Sequence, residues 1–567
     1  MIVELPVALV LIVGGALVPL WRGRARACWL LALPLVACAG VLALPLGVHG
    51  SIELLGLELV PVRVDKLSLL FAYVFLLATL LGTVYALHVK DTLQQVASLV
   101  YAGSALGAVF AGDFVTLFVF WELSARSSVL LIWARRSARA AAAGRRYLIV
   151  QLLAGLCLLV GALAHWQATG SLRIERLDAA GDLASTLLLL AFGIKAAFPL
   201  LHNWLPDAYP EATPTGTVLL SALTTKLGIY ALARVFPGTE ILIGIGTIMT
   251  VFPIFYAVIE NDLRRVLAYS MTNQLGFMVV GIGIGSELAI NGAVAHAFAD
   301  ILFKGLLFMA MGAVLLRTGT ANGTDLGGLY RSMPWTAGCC VIGAASISAF
   351  PLFSGFVTKS MILSAAAEEG LQVVWLLLLF ASAGVFHHAG IKIPYFAFFG
   401  HDSGRRCAEA PLNMRLAMTG AALLCVGIGV YPQALYALLP FAVSYEPYTT
   451  SHVVAQLQLL FFSALAFAVL MRTGIYPPEL RSVNLDSDWL YRRAAPRVWR
   501  RLDGAWSALR AAIGRGCDSL VARAARFVER ERHPHGLLLR TWPSGTMALW
   551  VMIMLLAYLA LDYLELF

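Results

Sequence analysis

Charge is scarce in this chain. Of 567 residues only 13% are Asp, Glu, Lys or Arg, whereas 60% are hydrophobic, and the mean hydropathy is +0.81. That balance excludes a soluble globular core and points to a polytopic membrane protein. Cysteine is sparse and scattered: Cys28, Cys38, Cys157, Cys339, Cys340, Cys407, Cys425 and Cys517 form no CxxC. The adjacent Cys339 and Cys340 cannot easily grip one metal, so iron–sulfur and zinc sites have no support. No GxGxxG stands at a strand–helix junction, so no nucleotide site is implied. The sequence assigns this chain no cofactor, no metal and no redox or hydrolytic residue.

About sixteen apolar runs reach the ~20 residues that a spanning helix needs. The fold expected is all-α and polytopic, with about 14–16 transmembrane helices. The first run, Ile2–Leu20, lacks a basic n-region and a small-residue cleavage site, and reads as a first span. Basic clusters follow odd-numbered runs: Arg22, Arg24 and Arg26; Arg135, Arg136, Arg139, Arg145 and Arg146; Arg264 and Arg265; Arg405 and Arg406. All fall on one side, which the positive-inside rule makes cytoplasmic, with the N-terminus outside.

Lys195 lies in the run Leu187–Leu201, LLLLAFGIKAAFPLL, four residues before Pro199. A charge at the bilayer centre costs about 2.5–3.5 kcal/mol on insertion scales. Pro199 has no N–H, so the Lys195 carbonyl loses its i→i−4 partner and the helix is expected to break there. A second run, Ala344–Ile362, is interrupted at Pro351 and carries Lys359. These are runs seven and twelve, which suggests two structural repeats of five helices, with the broken helices marking a transport path. The chain then divides into N-terminal helices 1–93, a first repeat 94–236, a second repeat 239–400, C-terminal helices 414–472, a basic amphipathic segment 486–540 and a last span 545–563.

Other ionisable residues lie inside runs. Glu122 falls in Phe114–Trp133 and Lys226 in Thr215–Val235. His296, Asp300 and Lys304 stand at i, i+4 and i+8 in Ala289–Leu316, along one slowly drifting helical face. His387, His388 and Lys392 lie in the thirteenth run, and Lys392, near its end, is expected to snorkel. Singly, each has a plain reading as a snorkelling lysine or a polar helix contact. Six unpaired mid-span charges would cost on the order of 15–20 kcal/mol together, so the set points to a hydrated axis where they face one another. Lysine suits such an axis, because its proton affinity falls where water is excluded and rises beside a carboxylate. Glu122 is the natural partner and gate for Lys195. His296 adds a group that titrates near neutral pH.

The C-terminal region differs. Between Arg481 and Arg540, 13 Arg stand against 6 Asp or Glu. Position beside a span favours an anionic membrane surface over nucleic acid. From Val498, apolar Leu502, Trp506, Leu509, Ile513, Cys517, Leu520, Ala524 and Phe527 recur in steps of three and four. A helix of about 50 Å lying along the interface is expected over 496–531, with a soluble two-helix tail as the plainer alternative. Met547–Leu561 reads as the last span.

FGIKAAFPLLHNWLPDAYPEATP at Phe192–Pro214 resembles the seventh-helix signature of the proton-translocating antiporter-like subunits of respiratory complex I and of Mrp sodium/proton antiporters. FWELSARSSVLLI at Phe120–Ile132, NDLRRVLAYSMTNQLGFM at Asn261–Met278, HAFADILFKGLLFM at His296–Met309, and DLGGLYRSMP with FPLFSGFVTK between Asp325 and Lys359 are similar to further family stretches. TTKLGIYALAR around Lys226 and LDSDWLYRR at Leu485–Arg493 resemble the Mrp D subunit most. The resemblance implies two inverted five-helix repeats, each with a proton half-channel. Glu122, Lys195 and Lys226 match the first, and Lys304 and Lys359 the second. It also implies sister membrane subunits in a bacterial inner membrane. At Asp300 many members carry a second histidine, and here the Asp is placed to hold Lys304 charged. Arg126, one turn after Glu122, is a competing ion-pair partner.

The function expected is a proton-conducting subunit of a Na⁺ or K⁺/proton antiporter. The alternative is a proton-pumping arm of a dehydrogenase, a hydrogenase or an inorganic-carbon uptake complex, whose chemistry resides in partner chains. A lone small-solute carrier fits poorly, since no polar pocket beyond the charge axis is evident.

Overall fold

The computed structural model describes residues 7–54, 56–178, 181–476, 480, 484, 486–532 and 542–563. It resolves into two units, Met1–Asp486 and Ser487–Phe567. Among the described residues, thirteen helices are long and apolar enough to cross a membrane. Three shorter apolar ones, Val7–Ala16, Leu183–Lys195 and Pro334–Ile347, join them. The chain is therefore an all-α polytopic membrane protein. Of the first expected run, residues 2–6 lie outside the described residues, as do 477–479, 481–483, 485 and 533–541 of the C-terminal region.

In the larger unit, α1 (Val7–Ala16), α2 (Gly23–Leu42) and α3 (Lys66–Ala86) come first. Between α2 and α3, Gly47–His49 pairs antiparallel with Val62–Val64, and Ile52–Leu54 with Leu57–Leu59. Two matching series follow. The first is α4 (Thr92–Phe110), α5 (Phe114–Trp133), α6 (Ala138–Thr169), the broken pair α7 (Leu183–Lys195) and α8 (Trp204–Ala208), and α9 (Gly216–Val235). The second is α10 (Ile241–Ile259), α11 (Leu263–Ile284), α12 (Glu287–Thr318), the broken pair α13 (Pro334–Ile347) and α14 (Ser354–Glu368), and α15 (Gln372–Val385), which continues through π-turns to Phe399. Helices Leu412–Val430 and Thr450–Thr473 complete this unit.

The two series share local chemistry. Asp113 caps α5 by accepting from the Thr116 N–H, and Asp262 caps α11 by accepting from the Arg264 N–H. Such caps contribute about 1 kcal/mol each. Both Asp residues form isolated antiparallel bridges, to Arg173 and Asn322, just beyond the third helix. That third helix has 32 residues in both series and ends on a left-handed glycine, Gly170 or Gly319. Each series holds five helical runs, counting the broken pair as one, and an odd number is what an inverted repeat requires.

The breaks match as well. The string AFPL occurs at 197–200 and 349–352. Ala197, Leu200, Ala349 and Leu352 all have positive φ, 62°, 68°, 57° and 73°. Such conformations cost about 1–3 kcal/mol each and persist where packing fixes them. At the first break Gly228 of α9 does this: a Cβ there would lie 2.7 Å from the Ala196 nitrogen and 3.0 Å from the Lys195 carbonyl carbon.

Helices α9, α11 and α12 form the centre, their apolar windows 94%, 94% and 89% buried, against 17% for the outer helix Thr450–Thr473. Lys226 of α9 and His296, Asp300 and Lys304 of α12 thus sit on helices that other helices, not lipid, surround. The smaller unit holds one long helix, Ala495–Glu531, and the apolar helix Ser544–Tyr563. Val498, Leu502, Trp506, Leu509, Ile513, Leu520 and Phe527 of the long helix are exposed, as its three-and-four spacing predicts for a helix with one apolar stripe.

Candidate functional site

The ionisable residues are positioned by three contacts between helices. At the first break, Lys195 ends α7 and is fully buried. Its Nζ lies 3.2 Å from the Ser124 hydroxyl and 3.9 Å from the centre of the Trp121 ring, both on α5. Glu122, on the same helix, is buried too, but its partner is Arg126, one turn on, at 2.9 Å. Lys195 lies near enough to act on Glu122 electrostatically, but the direct ion pair is the i,i+4 one, which forms within one helix and needs no tertiary approach.

Between the repeats, Lys226 of α9 and Asp300 of α12 form an ion pair at 2.5 Å, both side chains fully buried. Lys226 also donates to the Ser221 carbonyl at 3.0 Å. The sequence reading gives Asp300 to Lys304, one turn away on its own helix. Asp300 does act on Lys304 electrostatically, and packing of α9 against α12 gives it Lys226 as its direct partner, a contact that ties the first repeat to the second.

In the second repeat, Lys304 donates to the Ser270 hydroxyl of α11 at 2.9 Å. His296 lies 3.0 Å from the Thr358 hydroxyl of α14 through Nδ1, and 3.1 Å from the side-chain amide oxygen of Gln274 of α11 through Nε2. Gln274 donates to Asn273 at 2.6 Å, and Asn273 to the Thr250 carbonyl. Lys359, near the start of α14, donates back across the break to the Ile347 carbonyl at 3.1 Å, and its Nζ lies 5.0 Å from the Phe277 ring centre. A cation at that carbonyl end of α13 is electrostatically favoured. Pro199 and Pro351 both sit in the breaks, as expected.

The hydroxyl and amide partners of these ionisable groups do not stand out in the sequence. Ser270, Asn273 and Gln274 recur on α11 at i, i+3 and i+4, a polar stripe within an otherwise apolar helix, and that periodicity is the available signal. Ser128 pairs with the Tyr147 hydroxyl at 2.8 Å, Tyr147 with Thr224 at 3.4 Å, and Thr224 with Tyr101. This chain of hydroxyls begins one turn from Ser124, passes through Thr224, two residues before Lys226, and ends at Tyr101.

One other expectation is corrected. Lys392 does not snorkel: it is fully buried and donates to the Val258 and Glu260 carbonyls, 2.7 Å each, at the end of α10. His388 is buried in the neighbouring π-turn. Several arginines of the basic clusters hold carboxylates or carbonyls of their own chain, Arg264 from full burial and Arg139 from the surface. Arg146 grips Asp207 through two bonds, 2.7 and 2.9 Å. Arg135 and Arg139 flank Glu211 at 3.5 Å. Arg264, 1% exposed, donates to the Pro210 and Ala212 carbonyls and the Thr217 hydroxyl.

Fold and site together define a membrane subunit with inverted repeats, two broken helices and a buried row of lysines between them. The sequence profile of the family described as "NADH:quinone oxidoreductase/Mrp antiporter, TM" matches residues 111–386. The N subunit of a NADH-quinone oxidoreductase from Desulforudis audaxviator is 31% identical, over 60% of this chain and 72% of that protein. The chain belongs to this family. The A/B subunit of a probable K⁺/H⁺ antiporter from Rhizobium meliloti is 32% identical over 70% of this chain. The chain spans only 42% of that relative's length. The solved structure of an archaeal membrane-bound sulfane sulfur reductase contains a polypeptide with TM-score 0.70 and 24% identity, matched over 98% of this chain and all of that one; this likeness concerns the fold.

Proposed function

We propose that this chain is the proton-conducting subunit of a multi-subunit Na⁺ or K⁺/proton antiporter of a bacterial inner membrane, working beside sister membrane subunits. The observation that carries the reading is the buried Lys226–Asp300 pair joining two repeats that each hold a lysine beside a helix break. Protons pass along Glu122, Lys195, Lys226, Lys304 and Lys359, with Asp300 setting the charge of Lys226. Ser124 and Ser270 accept from the lysines and donate onward, and His296 buffers the second half. Opening of the Glu122–Arg126 pair frees Glu122 for Lys195. The divisions 1–93, 94–236, 239–400, 414–472, 486–540 and 545–563 serve as N-terminal helices, two half-channels, closing helices, a lateral arm and a last span. The N-terminus faces outward, and the arginine-rich arm rests on anionic lipid.

The test is cation-driven proton exchange in everted vesicles. Glu122→Ala and Lys195→Ala should each abolish exchange while the complex still assembles; normal exchange by both would sink the axis. A second reading, the proton-pumping arm of a redox complex, draws on the fold shared with the archaeal respiratory subunit through the C-terminal arm. Mild-detergent purification separates the two: small membrane subunits alone favour the antiporter, and a soluble redox partner favours the pump.

A further inference from the structure

An arginine is left outside the axis, on the surface of a spanning helix. Arg126 is the thirteenth residue of α5, about 4 Å from that helix's midpoint at 1.5 Å per residue. Its side chain is 60% exposed, whereas that of Glu122, its partner, is 7% exposed. Two turns before it, Val119 is also exposed, and α6, packed beside α5, exposes Leu153 and Leu156. At that depth the surroundings of an uncovered helix face are hydrocarbon, in which neither charge nor an unsatisfied N–H is tolerated cheaply.

The bond to Glu122 does not solve this. A guanidinium has five N–H donors in a planar fork that fits both oxygens of a carboxylate. Arg126 reaches only Oε2 of Glu122, and Oε1 is buried without a hydrogen bond. The fork therefore stays open on its outward side. Snorkelling would carry the head to water only from nearer a helix end.

We propose that this face of α5, centred on Arg126, docks a helix of a neighbouring membrane subunit that brings an Asp or Glu to mid-bilayer depth. A carboxylate is the partner because it neutralises the cation and fills the fork with two parallel bonds, which a hydroxyl or amide oxygen does not. On the proton-conducting reading above, the contact has a consequence: the incoming carboxylate draws Arg126 away and leaves Glu122 to Lys195, so assembly arms the first half-channel.

The docking itself is tested by assembly, with no transport readout. In the native complex, a photo-crosslinker is placed at the exposed neighbour, Val119→p-benzoylphenylalanine. It should join a helix of a second membrane protein that bears an Asp or Glu within two turns of the crosslinked residue. Arg126→Glu should lower recovery of that partner at least tenfold, and an Asp/Glu→Lys change in the partner should restore it. Crosslinks to lipid alone, or to a helix without a mid-depth carboxylate, overturn the proposal, as does unchanged recovery with Arg126→Glu. If Arg126→Glu fails to fold, the crosslink, made with Arg126 intact, still decides. A failed exchange assay with intact crosslinking would remove the proton reading and leave the docking surface standing.

Discussion

The pair Lys226–Asp300 gives the sharpest energetic prediction. At 2.5 Å and with no exposure on either side chain, it lies where removing one member strands the other charge. Breaking such a pair costs about 3–5 kcal/mol, while replacing both by apolar groups of similar size is often close to neutral. Lys226→Met and Asp300→Leu should therefore each destabilise by about that amount. The double variant should recover most of the loss, a non-additivity of at least about 2 kcal/mol. The assay is SDS-titrated unfolding of the detergent-solubilised chain, run on all four proteins of the cycle. Exchange in vesicles should behave differently: every variant, the double included, should be inactive, because the apolar pair holds no proton. Additivity within about 0.5 kcal/mol would refute the claim that these two residues are each other's partner.

Other outcomes follow from the same geometry. Gly228→Val puts a side chain where α9 touches the backbone of Ala196 and Lys195, and should destabilise by about 1–3 kcal/mol, read in the same titration. Lys392→Met strands the Val258 and Glu260 carbonyls and should cost about 1–3 kcal/mol, with exchange surviving in the assembled fraction. Ser270→Ala removes the hydroxyl of α11 to which Lys304 donates at 2.9 Å, and should slow exchange about tenfold or more without loss of assembly, checked by initial rates in everted vesicles; such a loss corresponds to about 1.4 kcal/mol. Arm variants with Arg500 and Arg501 changed to Gln should release more easily from anionic vesicles, by about 1 kcal/mol per residue, measured by flotation at stepped salt.

Which ionisable residues are buried was largely legible in the sequence; which residues meet was not. Lysines and carboxylates stand out in apolar runs because their insertion cost is large, and prolines announce breaks through a missing N–H. Pairing is a tertiary property. Along α12, Asp300 and Lys304 are one turn apart, yet α9 approaches closely enough to bring Lys226 to Asp300. Along α5, the opposite outcome holds: Arg126 takes Glu122 by local geometry although Lys195 lies near. Buried hydroxyls such as those of Ser124 and Tyr147 carry no insertion penalty large enough to mark them, so they stay invisible until helices are packed. The repeated AFPL string was a signal for the inverted halves that spacing of the two prolines alone conveyed less directly. The arginine clusters likewise combine exposed side chains such as Arg139 with buried struts such as Arg264, a difference that only packing reveals.

The most direct test of the central claim is proton flux through the lysine row. Everted vesicles holding the assembled complex would be given an imposed pH gradient, then Na⁺ or K⁺, with an internal dye reporting collapse of the gradient. Wild type should respond to the cation, and Lys195→Ala and Lys304→Ala, one from each repeat, should give no response at equal complex content. A full response from either variant would contradict a proton path that runs through both repeats.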